Sequence, residues 1–140
     1  MKARSIATLR EHLHPHTKDV YEITRDFELS VGKVFTVYGI SIWKGVMHYL
    51  VVDINDPRPD WFPAELFIVQ DTLLPNETYH KYFGLGDKQG VNALWGYKEM
   101  VLDDQHYIEL IEREPKAIEI FLKRKKEIDE MYANQKDEPG

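Results

Sequence analysis

Three histidines alternate near the start of the chain, at His12, His14 and His16. In an extended segment this alternation places all three imidazole rings on one side, within reach of a metal ion together with Asp19. Metal sites usually take their ligands from well-ordered elements with supporting hydrogen bonds, and a segment near the terminus offers few such neighbours. We therefore interpret the histidines as a polar segment, and the sequence predicts no metal or other cofactor.

Nucleophilic catalysis would require a hydroxyl close to a histidine and an orienting carboxylate. Ser5, Ser30 and Ser41 lie outside any G-x-S-x-G motif, and the absence of cysteine excludes a thiol nucleophile and a thiolate zinc site. His48 would be a candidate base if Asp53 lay beside it, but a hydrogen-bonded histidine at the edge of a core is the simpler interpretation. Binding without catalysis is therefore favoured, with a small hydrolase that uses a histidine and carboxylates as the alternative.

The charge balance argues against anionic partners. The chain carries 18 Lys and Arg against 24 Asp and Glu, a net charge of -6, which disfavours broad contact with nucleic acid or with an anionic membrane. The basic run from Lys123 to Lys126 is surrounded by acids that offset its charge, at Glu119, Glu127, Asp129 and Glu130. We expect instead a protein partner with a basic surface.

Acidic residues concentrate in two segments that contain or adjoin large aromatic side chains. Residues 53–77 and residues 99–114 each contain six acids and one arginine. Aromatic anchors supply desolvated contact area and carboxylates steer a cationic partner, although the aromatic residues could equally belong to the core. With Trp61 and Trp95 as anchors, the predicted partner-binding residues are Asp56, Asp60, Trp61, Glu65, Trp95, Tyr97 and Glu99.

The elements that must position these residues begin with a central block of strands. Residues 34–43 and 46–54 are rich in β-branched and aromatic side chains, and Lys44 with Gly45 fills the two-residue gap typical of a hairpin. The alternation changes phase at Gly39, which indicates a bulge or a bend. With residues 61–70 as a third strand, the sequence predicts an α+β fold built on a curled antiparallel sheet of about three to five strands.

The C-terminal part is predicted to form helices that pack on this sheet. Asp103 or Asp104 caps one helix, and Pro115 occupies the first turn of the next. That last helix carries apolar side chains at i, i+3 and i+4 spacing. The residues predicted to be buried on the sheet are Ile118, Phe121, Leu122 and Ile128.

The 140 residues are interpreted as one domain. It divides into an N-terminal arm at 1–26, a sheet-rich core at 27–101, a helical part at 102–133 and a frayed tail at 134–140. No window approaches the length of an apolar membrane span, and the first residues lack the apolar segment of a signal peptide. These features predict no membrane contact and a cytoplasmic location. The chain is expected to be a monomer, or a homodimer that forms through the apolar stripe of the last helix.

The segment DWFPAELF, from Asp60 to Phe67, resembles the late strand and 3-10 turn of SH3-like barrels. This resemblance implies a partial barrel of that type. The acidic, tyrosine-rich ligand loop of signalling SH3 domains is missing, so PxxP recognition is not implied, and a peptide-binding or assembly-binding module is a further alternative.

More broadly, the hairpin, the aromatic strand at 61–67, the segment at 94–97 and the charged terminal helix are similar in order to small uncharacterised bacterial proteins. Some proteins of this kind are immunity proteins encoded beside toxins. The resemblance implies a non-catalytic acidic protein that neutralises a cationic bacterial toxin by direct binding.

Overall fold

The computed structural model describes residues 1–8, 10–21, 27–85 and 88–136. Its architecture is α+β, with two antiparallel sheets and a group of C-terminal helices. The strands are β1 (Lys2–Ser5), β2 (Val34–Thr36), β3 (Gly39–Trp43), β4 (Val46–Val51), β5 (Asp60–Pro63), β6 (Phe67–Asp71), β7 (Tyr79–Tyr82) and β8 (Val91–Gly96). The helices are α1 (Pro15–Val20), α2 (Lys98–Leu102), α3 (Asp104–Ile111) and α4 (Pro115–Lys136).

The larger sheet has the strand order β5-β4-β3-β8-β7, and every neighbouring pair is antiparallel. The predicted hairpin is confirmed, because β3 and β4 pair up to Trp43 and Val46 around a two-residue turn. Lys44 and Gly45 have φ values of 50° and 77°. Two positive φ values are those of a type I′ turn, whose twist matches that of the flanking strands.

Two runs that were predicted as single strands each divide between the two sheets. Residues 34–43 form β2 in the smaller sheet and β3 in the larger one, and residues 61–70 form β5, a 3-10 turn at Ala64–Leu66 and β6. The phase change at Gly39 is therefore a change of sheet. A Cβ atom at Gly39 would lie 3.1 Å from Cη2 of Trp61, so the glycine allows the β5 tryptophan to cover β3.

The smaller sheet has the strand order β2-β1-β6 and packs against one face of the larger sheet. Phe67 of β6 contacts Tyr49 of β4, with 5.6 Å between ring centroids. In the described part of the chain the strands form these two separate sheets and do not close into one barrel. The structure thus differs from the single curled sheet of the prediction, because the chain crosses between the two sheets three times, after β2, β5 and β6.

The N-terminal residues belong to the smaller sheet, whereas the sequence indicated an arm. Lys2–Ser5 forms its central strand, and Ala3 and Ser5 are fully buried. The Ser5 hydroxyl donates a hydrogen bond to the Ser30 carbonyl oxygen. Small side chains at alternate positions fit the one buried face of this strand, and this signal is too short to identify from the sequence.

The C-terminal helices cover the opposite face of the larger sheet. Asp103 caps α3 by accepting hydrogen bonds from the N–H groups of Gln105 and His106, and Pro115 begins α4. Both predictions are confirmed. α4 continues to Lys136, beyond the predicted boundary at 133, and residues 137–140 lie outside the described residues.

The predicted buried face of α4 is correct at three of its four positions. Phe121 and Ile128 are buried and Ile118 is half-buried, but Leu122 is 43% exposed. Successive helical residues are about 100° apart, so Leu122 turns away from the sheet when Phe121 faces it. No helix in the described ranges combines the length and the apolar character needed to cross a bilayer.

Candidate functional site

A cavity of about 400 Å³ lies where the larger sheet meets α3 and the end of α1. We call it the aromatic cavity; its volume is within the range of about 300–1,000 Å³ typical of ligand sites. The floor is buried, the walls are half-buried aromatic rings and the rim is exposed. The floor consists of Ser41, His48, Leu50, Tyr107 and Leu110, the walls of Tyr21, Trp43 and Trp61, and the rim of Asp60, Gln89, Ile111 and Arg113.

Strand alternation positions the floor and one wall. Ser41 and His48 are register partners on β3 and β4, and Leu50 follows on the same face as His48. Trp61 of β5 is the register partner of Leu50. Trp43 is the last residue of β3, beside the hairpin turn. The cavity is thus built on the most regular part of the fold.

Tyr21 and His48 supply a buried polar pair. The Nδ1 atom of His48 lies 2.9 Å from the Val46 carbonyl oxygen, which can only accept, so Nδ1 carries the proton and donates it. In the neutral ring Nε2 then accepts from the Tyr21 hydroxyl 2.5 Å away. Burial lowers the pKa of His48 and raises the pKa of Tyr21, so both groups are held neutral.

In the described part of the chain, this histidine has no hydrogen-bonded carboxylate of the kind that a hydrolytic site would use. Its ring nitrogens contact Val46 and Tyr21. Asp53, which the sequence suggested as a neighbour, accepts hydrogen bonds from Ser30 instead. Among the residues that the structure describes, no carboxylate is hydrogen-bonded to the His48 ring, and burial lowers its pKa, so His48 is held as a neutral imidazole.

The walls present several aromatic rings at contact distance. Tyr21 and Trp43 are 6.1 Å apart between ring centroids, and Trp61 and Tyr107 are 5.9 Å apart. The Nζ atom of Lys44 lies 4.6 Å from the centroid of the Trp43 ring. The Trp43 ring therefore already holds one cation within the distance of a cation–π contact.

The rim carries both signs of charge. Arg113 lies between two carboxylates, with NH1 3.3 Å from Asp56 and NH2 3.6 Å from Asp60. Arg58 makes the stronger contact with Asp56, through Nε at 3.0 Å and NH2 at 2.9 Å, and these bonds lower the pKa of that carboxyl. Asp60 keeps a side chain that is 59% exposed. Of the two predicted acids here, Asp60 is the one open to a partner.

A second hollow of about 450 Å³ adjoins the cavity and shares Asp60 and Arg113 with it. We call it the acidic hollow. Four carboxylates and two guanidinium groups line it, which leaves an excess of negative charge. The carboxylates belong to Glu28, Asp53, Asp56 and Asp60, and the guanidinium groups to Arg58 and Arg113.

Glu65 faces inward rather than toward a partner. One oxygen accepts a hydrogen bond from the His14 N–H at 2.6 Å, and the other accepts from the Thr17 hydroxyl. These bonds tie the first turn of α1 to the 3-10 turn after β5. Glu65 therefore helps to place Tyr21, which follows α1, at the wall of the cavity.

The remaining predicted residues lie around a third feature, which we call the helix groove. This groove of about 300 Å³ runs between residues 74–78, the start of β3 and the second half of α4. Trp95 lines it and stacks on His80, with 4.3 Å between ring centroids. Arg124 also lines it and binds both oxygens of Glu99, at 2.8 and 2.9 Å.

Tyr97 is part of the core rather than an exposed anchor. It is buried, and its hydroxyl lies 2.6 Å from Nε2 of His106, a histidine that is also buried. Among the described residues, the Nδ1 atom of His106 has no hydrogen-bond partner. The structure thus divides the predicted set into Asp56, Asp60, Trp61 and Glu65 around the aromatic cavity and Trp95, Tyr97 and Glu99 around the helix groove.

Two of the three alternating histidines make hydrogen bonds with backbone groups. The Nδ1 atom of His14 accepts from the His16 N–H at 3.2 Å and caps α1, and Nε2 of His16 lies 3.1 Å from the Lys44 carbonyl oxygen. His12 is exposed. In the described ranges no group of three or more His, Cys, Asp or Glu side chains is arranged to hold a metal ion.

Most of the residues that line the cavity were not predicted from the sequence. Tyr21, Trp43, Tyr107 and Arg113 were not among the predicted site residues, although all line it. One usable signal existed, since Ser41 and Trp43 alternate on β3 with His48 opposite them across the hairpin. The contribution of α3 depends on tertiary packing and had no signal in the sequence.

Comparison with protein-family models, with curated proteins and with solved structures finds no match for this chain.

Proposed function

We propose that the chain is a non-catalytic binding protein that captures a protein partner with a basic surface. The observation that supports this most directly is the open carboxylate of Asp60 at the shared rim of the aromatic cavity and the acidic hollow. Carboxylates at a rim steer a cationic partner, and recessed aromatic rings supply the desolvated contact area.

The electrostatic environment of the cavity agrees with a cationic partner. Burial has the largest effect on the pKa of Tyr21 and of His48; beyond it, the Glu65 carboxylate raises the pKa of both groups and the Asp60 carboxylate raises that of Tyr21. A field that opposes deprotonation favours positive charge at the same place. These carboxylates therefore attract an approaching cation, whereas burial, which lowers the pKa of His48, opposes a charge inside the cavity.

In its most specific form, the partner is a cationic bacterial toxin and the chain is its cytoplasmic immunity protein. This version rests on the resemblance in element order and on the net charge of -6. An acidic protein that occludes a basic toxin gains a fast association rate from long-range attraction. No catalytic group is needed for that role.

The test uses the products of the reading frames next to the gene, each co-expressed with the chain and then measured by calorimetry. The wild-type chain should rescue growth from one toxic product and bind it with an affinity that falls between about 50 and 200 mM salt. The variant Glu28→Lys with Asp60→Lys should weaken binding by about 100-fold or more and abolish rescue, since both acids are exposed at the acidic hollow.

The matched control carries the same charge change on α4, through Glu119→Lys with Glu130→Lys, two exposed acids. It should weaken binding less than about tenfold, because only the overall field changes. Equal losses from the two variants would reject this surface. Neighbouring products that are neither toxic nor bound would reject toxin neutralisation.

A small hydrolase is the second candidate, because His48, Tyr21 and Ser41 all line the aromatic cavity. It predicts ester hydrolysis that rises with pH and disappears in His48→Gln. Activity with p-nitrophenyl acetate that survives in that variant would exclude His48 as the base.

An SH3-like module that binds a peptide is the third candidate. It is supported by β5, the 3-10 turn and β6, which lie where the resemblance placed a strand and a turn. Such a module would bind a peptide or an assembly partner through exposed aromatic side chains, and binding would persist in the Glu28→Lys, Asp60→Lys variant.

A further inference from the structure

We infer that the aromatic cavity receives one arginine side chain of the basic partner, with its guanidinium group among the aromatic walls and within reach of the Asp60 carboxylate. The inference rests on the proposed function, and it names the chemical group that the site recognises. The cavity would thus hold the anchor residue of the interface.

The shape and lining of the cavity suit this group. Tyr21, Trp43 and Trp61 provide flat apolar walls, and about 400 Å³ accommodates an extended side chain. A guanidinium group is planar and less strongly hydrated than an ammonium group, so it stacks on aromatic rings at a smaller desolvation cost. The ammonium group of lysine is not planar and cannot stack on the rings in this way.

Asp60 gives the cation a partner at the entrance. Its side chain is 59% exposed and its contact with Arg113 is long, at 3.6 Å. One of its oxygens accepts the Trp61 N–H at 3.0 Å, which fixes the carboxylate next to the aromatic wall. A second guanidinium group can therefore approach the free edge of this carboxylate.

Arg113 shows that the rim already attracts a guanidinium group from within the chain. It spans Asp56 and Asp60 from the turn between α3 and α4, where its φ of 60° is unusual for a residue with a side chain. An incoming arginine would compete with Arg113 for Asp60. Removing Arg113 should therefore strengthen binding.

The experiment follows the indole N–H signals of the three tryptophans in a two-dimensional ¹H–¹⁵N spectrum of the full chain. The probe is N-acetyl-arginine methylamide, and its neutral isostere N-acetyl-citrulline methylamide is the control. Arginine should shift the Trp43 and Trp61 signals saturably, with a Kd of about 1–10 mM, and leave the Trp95 signal unchanged. Citrulline should bind at least about tenfold more weakly because it lacks the charge.

Two variants test the proposed partner at the rim. Asp60→Asn should weaken arginine binding by about fivefold or more, whereas Asp104→Asn, an exposed acid on α3, should not change it. Arg113→Asn should tighten binding by about threefold, since asparagine tolerates the positive φ and removes the competing cation. An unchanged affinity in both rim variants would overturn the assignment of Asp60.

Other outcomes overturn the inference as a whole. These are equal shifts with citrulline, a shift confined to Trp95, or no saturable shift. Tighter binding of N-acetyl-lysine methylamide would replace arginine by lysine, and tighter binding of tetramethylammonium would point to a free small cation rather than a partner side chain.

Failure of this inference is distinguishable from failure of the proposed function. If Glu28→Lys with Asp60→Lys abolishes capture of the partner but the arginine probe does not bind, only the cavity assignment fails. If the probe binds and that double variant still captures the partner normally, the basic-partner function fails.

Discussion

The aromatic cavity and the helix groove both include residues of β3, yet they differ in how their polar groups are paired. At the groove, Arg124 binds both oxygens of Glu99, and the Tyr38 hydroxyl donates to Asp129 at 2.6 Å. At the cavity, Asp60 is largely exposed and its contact with Arg113 is long. The charged groups at the groove are paired within the fold, whereas at the cavity the Asp60 carboxylate remains available to a ligand.

The two buried histidines show the opposite contrast. His48 at the cavity and His106 in the core behind the groove each contact a tyrosine hydroxyl through Nε2, at 2.5 and 2.6 Å. His48 also donates from Nδ1 to a carbonyl oxygen, whereas Nδ1 of His106 has no partner in the part of the chain that the structure describes. A satisfied histidine can line an open cavity, while an unsatisfied one costs stability.

The largest expected effect comes from removing the core beneath the groove. Phe121→Ala should lower the free energy of unfolding by about 3–5 kcal/mol, because the ring is fully buried against Tyr38 and Tyr97. Leu122→Ala is the matched control on the next residue and should cost less than about 1 kcal/mol, since that side chain is 43% exposed. Urea unfolding measures both, and similar losses would contradict the assigned orientation of α4.

An intermediate effect is expected from pH. Burial lowers the pKa of His48 and of His106 below the ordinary 6.5, so the unfolded chain takes up protons that the folded chain does not. Stability should therefore fall as the pH drops below 6.5, by at most about 1.4 kcal/mol per histidine at one pH unit lower.

Substitution of each histidine in turn can separate the contributions of His48 and His106 to this pH dependence. Urea unfolding at about pH 7.5 and about pH 5.5 should show a smaller difference in His48→Gln and in His106→Gln than in the wild-type chain. At pH 7.5, His106→Gln should be the less damaging of the two, because it removes an unpartnered nitrogen. The reverse order would argue that the His106 ring is better satisfied than its contacts indicate.

The smallest expected effect comes from breaking the ion pair between Arg124 and Glu99 at the groove. The hydrogen bonds from Arg124 lower the pKa of Glu99 below its ordinary 4.5, so their stabilisation is complete above that pH and is lost as the pH falls through the lowered value. Glu99→Gln should cost about 1 kcal/mol at neutral pH, because both side chains are partly exposed.

The Glu99→Gln variant should also flatten the loss of stability below pH 4.5. Glu119→Gln, at an exposed position on α4, is the control and should change stability by less than about 0.5 kcal/mol. If the two variants are indistinguishable in urea unfolding, the groove is not braced by this ion pair.

Local sequence signals were sufficient wherever a feature depends on neighbouring residues. The turn at Lys44 and Gly45, the cap at Asp103 and the start of α4 at Pro115 were all predicted, because each follows from the backbone preferences of one or two residues. Leu122 was misplaced because the periodicity of a helix does not fix the rotation of its face to within one residue.

The candidate site was predicted less completely, because pairing between distant residues has no local signal. Asp60 and Trp61 were chosen from composition, and they do lie at a cavity. Composition could not show that Glu65 accepts the His14 N–H at the start of α1, or that Glu99 binds Arg124, 25 positions away. Nor could composition show that Tyr21 and Tyr107 line the same cavity.

The sequence by itself determined the chemistry available to this protein: an acidic chain with no cysteine, an antiparallel hairpin and capped C-terminal helices. The tertiary structure alone decided which carboxylates are neutralised and which aromatic rings surround a cavity. The physical reason is that charge pairing and burial depend on distances between residues far apart in the chain, and those distances are set only when the sheets and helices pack.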